Sequence, residues 1–252
     1  MRQILLTGGT GNLGRAIIQS GKFKNLLTPS STELDICDQN QVRLYLEQND
    51  IGYIIHAAAL ARLTGCENAP AEAIRKNIIG TSNLVSSVLS RECRSGKSIR
   101  FLQISSDGVY EGTEGGYTED GPTIPKTNYG WSKLGAECAV RLLDNYCIIR
   151  TRFFDKKNIP FETSASDIYT SKISLDELVL HVYQILLSDY IGVLNVGGNK
   201  ISDFDCHKNY KLSIKECLRL DIVKEVPFEV PKDISMDTSK FIQLLDTLNA
   251  KH

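Results

Sequence analysis

The sequence has almost no net charge: 29 Lys and Arg stand against 30 Asp and Glu, a formal charge of −1. A surface without an excess of positive charge gives no electrostatic support for nucleic acid or an anionic membrane surface as partner. No apolar run approaches the ~18 residues of a membrane span. The chain opens directly on strand-like residues, so no cleavable leader is expected. Cysteines number seven, at 37, 66, 93, 138, 147, 206 and 217. An odd, scattered set without a C-x-x-C pair argues against a disulfide framework or a zinc site and for a reducing, cytoplasmic setting. Cys138 and Cys147 sit in apolar runs and are expected as small core residues. Histidines number four, without a second ligand at suitable spacing, so no metal site is expected.

What is present begins at the N-terminus. The apolar stretch 2–7 runs into Gly8, Gly9, Thr10, Gly11, Asn12, Leu13 and Gly14, and an amphipathic pattern (Leu13, Ala16, Ile17) follows. Strand, tight turn and helix in that order open a dinucleotide-binding βαβ unit. Glycine lets the backbone turn sharply and approach a pyrophosphate, and the helix points its free N–H groups at it.

Strand and helix signals then alternate. Strands are expected at 25–28, 53–57, 99–105 and 147–150, with helices over 38–49, 69–92 and 129–144 and a long loop over 107–128. This order predicts an α/β fold, a Rossmann-type doubly wound parallel sheet. Residues 1–152 would form the dinucleotide-binding core. Residues 153–252 would form a small mixed substrate-binding lobe interleaved with it, with a helix at 175–187 and a short strand at 192–196.

Two further features carry chemistry. Tyr129 and Lys133 lie four residues apart, hence on one helix face. A lysine cation beside a phenol favours phenolate and lowers the tyrosine pKa, which suits proton exchange with a carbonyl or alcohol. Ser106 lies where the fourth strand ends, at the edge facing a cofactor, and can donate a hydrogen bond to a substrate carbonyl. His56, within an apolar strand, is expected as a packed core residue. Arg150 and Arg152 follow the fifth strand and either contact a substrate phosphate or cap the sheet by salt bridges.

Together these segments resemble the extended short-chain dehydrogenase/reductase superfamily, nearest to its dTDP-4-dehydrorhamnose reductase-like members. The resemblance rests on 8–14, 34–38, 55–59, 77–84, 104–112 and 129–137, with weaker likeness at 192–198 and 236–240. It implies an NAD(P)H-dependent oxidoreductase acting on a nucleotide-linked keto-sugar. Tyr129 would be the proton donor, Lys133 would lower its pKa and hold the nicotinamide ribose, and Ser106 would orient the carbonyl. Gly8, Gly11, Asn12, Leu13 and Gly14 would wrap the pyrophosphate. Asp35 and Ile36 would lie near the adenine, and Ala57 and Ala58 near the ribose and nicotinamide. Asn77 would position the lysine. Asp107 and Arg152 would touch the substrate.

NADP(H) is favoured over NAD(H), because the second strand ends in Thr28, Pro29, Ser30, Ser31 and Thr32 and Arg15 can pair with a 2′-phosphate. Arg15 as a solvated cation, and Glu33 as a ribose-binding carboxylate, stay open. Sugar 4,6-dehydratases of the superfamily carry an acid pair after the Ser/Thr position. Gly108 replaces the second acid here, which argues for simple reduction. The alternatives are a nucleotide-sugar epimerase, or a nucleotide-binding regulatory subunit without turnover, since relatives act as partners of methionine adenosyltransferase. The partners expected are a nucleotide-sugar and a second copy of the chain.

Overall fold

The computed structural model describes residues 2–250. Its first half alternates strictly: β1 (Gln3–Thr7), α1 (Asn12–Ser20), β2 (Leu26–Leu27), α2 (Gln39–Gln48) and β3 (Ile51–His56). Short helices α3 (Leu63–Asn68) and α4 (Pro70–Ala73) follow, then α5 (Gly80–Ser95), β4 (Arg100–Ile104), α6 (Asn128–Val140) and β5 (Tyr146–Thr151). Beyond these come the short strands β6 (Phe153–Phe154), β7 (Thr163–Ala165), β8 (Tyr169–Thr170) and β9 (Ile173–Ser174), then α7 (Leu175–Leu187) and β10 (Gly192–Val196). Last among the described residues come β11 (Ile201–Ser202), α8 (Asp203–Lys208), β12 (Lys215–Cys217), α9 (Arg219–Val223) and α10 (Ser239–Asn249).

Six strands form one parallel sheet in the order β10-β5-β4-β3-β1-β2, so the expected Rossmann-type doubly wound α/β architecture is observed. The strands are apolar on both faces because helices cover both faces. Ile4, Leu6, Ile55, Leu102 and Ile149 meet α1 and α7 on one side. Leu5, Ile54, Phe101 and Ile148 meet α2 and α5 on the other. From β1 the chain turns to β2 on one side and to β3 on the other. Such a switch point opens a crevice beyond the carboxyl ends of the strands. Thr7 pairs in register with His56, and His56 with Gln103, so the segments after β1, β3 and β4 emerge side by side at that edge.

Two local expectations need correction. The helix anticipated over 69–92 is divided, since α4 passes through a wider π turn, Ile74–Ile79, before α5 begins. Segments of this kind often mark functional positions. Cys138 is exposed while Cys147 is buried. The inner face of α6 is taken by Ser132, Lys133, Ala136, Glu137 and Val140, and the helical period leaves Cys138 outside. The polar stretch 153–172 holds β6, β7 and β8, paired with β9, β12 and β11.

His56 is fully buried, with Nδ1 bonded to Thr7 Oγ1 at 2.6 Å and Nε2 to Thr81 Oγ1 at 2.9 Å. Burial, aided by the Lys133 charge, lowers its pKa from 6.5 to about 3. Between those values an unfolded chain binds a proton that the folded chain refuses. Stability is therefore full above about 6.5 and is lost as pH falls toward 3. His207, lowered by burial to about 4, acts in the same sense over a narrower window. Urea midpoints taken at about pH 7, 5.5 and 4.5 are expected to fall in that order, and His56→Gln to reduce the drop. A pH dependence unchanged in that variant would contradict the assignment to His56.

Candidate active site

The switch-point crevice is an open cleft of about 380 Å³, lined by residues 7–11 at the end of β1, by 29–31 and 34–37, by Ala57–Ala59 after β3, and by Lys76. Gly8 has φ +78°, and a Cβ there would lie 2.6 Å from the Ala58 nitrogen. A Cβ on Gly14 would lie 2.2 Å from the Gly8 carbonyl oxygen. Both glycines therefore hold the turn closed against the sheet rather than merely permitting it. Gly11 caps α1 with extended geometry and without a side-chain hydrogen bond, so the first N–H groups of that helix keep no capping side chain. A turn of bare backbone ahead of a free helix N-terminus fits a pyrophosphate.

Of the residues expected around a dinucleotide, Gly8, Gly11, Asp35, Ile36, Ala57 and Ala58 line this cleft. Leu13 and Gly14 are buried beneath it. Arg15 folds back, donating to the Thr10 carbonyl at 2.5 Å and to Asn12 Oδ1 at 2.7 Å. The cation on the cleft wall is Lys76, which the sequence reading did not single out, together with Ser30 and Ser31. The Glu33 carboxylate accepts from the Ser30 N–H and hydroxyl, both at 2.8 Å, and so braces the serine turn.

Ser106, after β4, comes together with Tyr129 and Lys133, both on α6. Ser106 follows β4 and caps a short 3₁₀ turn, Asp107–Val109, accepting from the Gly108 N–H at 3.0 Å. Tyr129 stands in the first turn of α6, which Thr127 caps by accepting from the Gly130 N–H at 3.1 Å. Gly130 is forced there, since a Cβ would lie 2.1 Å from the Gly108 carbonyl oxygen. Lys133 is buried, and its Nζ donates to the Ile104 carbonyl at 2.6 Å. Asn77, in the π turn, donates to Ser132 Oγ at 2.8 Å, and its Oδ1 accepts from the Leu60 N–H at 2.7 Å. It thus ties α6 to the loop after β3, next to the lysine.

Glu67 of α3 is a positioning residue that the sequence did not reveal. Its carboxylate accepts from both the backbone N–H and the side-chain amide of Asn128, each at 2.8 Å. An acid on the first residue of α6 satisfies an orphan donor and complements the helix dipole.

The electrostatics of Tyr129 run opposite to the expected direction. Burial pushes its phenol up to about 12. The Ser106 hydroxyl pulls it down, the Asp107 carboxylate and Cys66 raise it, and the Arg152 guanidinium lowers it. Lys133, whose amine donates to the Ile104 carbonyl, is not among the dominant influences. Burial brings the lysine itself down to about 8, against an opposing pull from Glu137. At neutral pH Tyr129 therefore carries its proton, the state a proton donor requires.

The two arginines separate. Arg150 is buried and meets Glu137 in a two-point ion pair, 3.1 and 2.7 Å, while donating to the Tyr110 hydroxyl at 2.9 Å. It closes the sheet end and is not open to a phosphate. Arg152 lines a second, much smaller cavity of about 40 Å³ together with Gly108, Tyr110, Glu111, Lys126 and Glu229. Its Nε lies 2.6 Å from Asp107 Oδ2.

A six-stranded parallel sheet with a glycine-walled cleft at its switch point defines a Rossmann-type α/β fold. Within that class, residues 1–162 match the family model described as the RmlD substrate binding domain, and the chain belongs to that family. A dTDP-4-dehydrorhamnose reductase of Clostridium acetobutylicum superposes with TM-score 0.84 at 23% identity, covering 97% of this chain and 92% of that one. A second, from Bacillus anthracis in complex with NADP, superposes with TM-score 0.81 at 20% identity, over 96% and 91%. These likenesses speak for the fold. Among curated sequences, the dTDP-4-dehydrorhamnose reductase of Streptomyces griseus is 32% identical over 152 residues, 58% of this chain and 48% of that protein. Methionine adenosyltransferase 2 subunit beta of Pongo abelii is 30% identical over 148 residues, 55% and 42%. The alignments thus span less than half the length of these curated relatives. Among the described residues no helix is long and apolar enough to cross a membrane.

Proposed function

We propose that this protein reduces the keto group of a nucleotide-linked sugar of the 4-keto-6-deoxy class with NADPH, in deoxysugar or surface-polysaccharide synthesis. The observation that carries the reading is the convergence of Ser106, Tyr129 and Lys133 at the strand ends beside a glycine-walled cleft. A bound reduced nicotinamide would supply the hydride. The chain's own groups supply the rest. Ser106 presents a hydroxyl to the carbonyl oxygen and stabilises charge developing there. Tyr129, protonated at neutral pH, delivers its phenolic proton to that oxygen. Lys133, fixed by the Ile104 carbonyl, keeps a cation near the cofactor ribose. Arg152 reaches the substrate from the wall of the smaller cavity.

Simple reduction is favoured over dehydration because Gly108 brings no second acid beside Asp107, whose carboxylate is already engaged by Arg152. NADPH is favoured because Ser30, Ser31 and Lys76 line the cleft while Glu33 is bound to Ser30. The test is consumption of NADPH and of NADH against dTDP-, GDP-, UDP- and CDP-linked 4-keto-6-deoxy sugars made in situ. Turnover with one of them, faster with NADPH, is the expected result. Tight cofactor binding without turnover, and with a stoichiometric protein partner, would favour a regulatory subunit instead. Tighter binding of NADH would overturn the cofactor preference.

A further inference from the structure

We propose that His56 is a positioning residue for the cofactor cleft: held in one tautomer, it carries a directed hydrogen-bond relay from the π turn to the backbone of Ala58. The inference deepens the reading above and rests on the cleft at Gly8 and Ala58 as the dinucleotide site.

The direction of the relay follows from what each group can donate. The Thr81 hydroxyl has one proton and gives it to the Asn77 carbonyl at 2.6 Å. Toward His56 Nε2, 2.9 Å away, Thr81 Oγ1 can therefore only accept, so the imidazole proton sits on Nε2. Burial keeps the ring neutral, which leaves Nδ1 without a proton. Nδ1 then accepts from the Thr7 hydroxyl at 2.6 Å. Thr7 Oγ1, its proton committed, accepts in turn from the Ala58 N–H at 3.4 Å. Thr7, His56, Asn77 and Thr81 are all buried, so a broken link strands a polar group away from water.

The relay ends where the cleft is tightest. Thr7 holds Ala57 through its backbone carbonyl, at 3.3 Å, and Ala58 through its hydroxyl. The Ala58 nitrogen is the atom that leaves least room for a Cβ on Gly8. Thr7, Gly8, Ala57 and Ala58 all line the cleft. At the other end, the Asn77 side chain grips Leu60, accepting from its N–H at 2.7 Å and donating to its carbonyl at 3.1 Å. The segment after β3 is thus tied to the π turn twice, once by the Asn77 side chain and once through His56. The tie through His56 sets the Ala58 backbone against the glycine turn, and with it the space left for the dinucleotide.

The test needs no substrate. Histidine side chains of ¹⁵N-labelled protein are observed by long-range proton–nitrogen NMR, and His56 is identified by the signals missing from His56→Gln. The expected signature at neutral pH is an uncharged ring protonated on Nε2. A ring protonated on Nδ1, or on both nitrogens, would overturn the relay. Dinucleotide affinity is then measured for Thr7→Val and Thr81→Val, which keep the shape and lose the hydroxyl, and for Thr7→Ser and Thr81→Ser, which keep the hydroxyl. The Val variants are expected to bind NADPH about tenfold more weakly, and the Ser variants within about twofold of wild type. Equal losses in Val and Ser variants would make packing the cause, and unchanged affinity in a folded Val variant would remove the positioning role; either result overturns the proposal. Should one Val variant not fold, the other decides, and the tautomer is read on the wild-type chain. The expected tautomer and affinities in a protein that turns over none of the sugars would sink the reductase reading and leave the role of His56 standing.

Discussion

Tyr129→Phe is expected to bind the reduced cofactor as tightly as the wild-type chain and to lose turnover by about 10²- to 10⁴-fold. The substitution removes one hydroxyl. The ring is half-buried, and its packing against the start of α6 is unchanged by the loss. The cleft for the dinucleotide is walled by other elements, after β1, β2 and β3. Binding and chemistry should therefore separate cleanly. The phenol's proton is retained at neutral pH because burial pushes its pKa up to about 12. The acid needed for carbonyl protonation is thus present across the physiological range, and loss of activity through phenolate formation is confined to strongly alkaline solution. Stopped-flow measurement of cofactor oxidation, with cofactor affinity from fluorescence, separates the two effects. A Phe variant that reduced a confirmed substrate at the wild-type rate would remove Tyr129 from the mechanism.

Glu137→Ala is expected to lower folding stability by about 3–5 kcal/mol. Glu137 is wholly buried and holds Arg150 at two points, while its Oε1 also accepts from the Ser105 hydroxyl at 2.6 Å. Arg150 in turn donates to Tyr110, whose hydroxyl donates to Asn195 Oδ1 at 2.7 Å. The network therefore links α6, β5, the loop after β4, and β10. Removing the carboxylate strands a guanidinium away from water. Removing both charges with Glu137→Gln and Arg150→Met leaves no lone charge and should cost less than Glu137→Ala alone. Chemical denaturation of the three chains checks this. Equal losses for the single and double variants would mean that the stranded charge is not the cause. Lys133 lies one turn before Glu137, and Glu137 supports its protonated state. Loss of the carboxylate is thus also expected to weaken the site in whatever fraction remains folded.

Local signals announced the sheet and the cleft because their causes are local. The run of apolar residues into Gly8 and the helix beginning after Gly11 are neighbours in sequence. The alternation that follows leaves few topologies open. Tyr129 and Lys133 were legible because a helix places residues four apart on one face. What escaped notice depends on residues that meet only in three dimensions. Glu67 reaches Asn128 across the fold and looks like any surface acid in the sequence. Glu137 reads as an ordinary helix charge, yet its burial pairs it with Arg150 and fixes one end of the sheet. The sign of the Tyr129 shift was misjudged for the same reason. Spacing set the lysine beside the phenol, but burial of the phenol decides the outcome. Arg15 follows the turn in sequence, yet its guanidinium returns to Thr10 and Asn12. The cleft cation is Lys76, supplied by the π turn.

The most direct test of the central claim is hydride transfer itself. NADPH carrying deuterium at the transferred position of C4 would be incubated with the protein and a 4-keto-6-deoxy sugar nucleotide on which the proposed activity is found, and the product examined by mass spectrometry and NMR. The account predicts one deuterium on the carbon that was the ketone, with one NADPH oxidised for each product formed. A product isomeric with the substrate, or one formed without deuterium while NADPH persists, would contradict it.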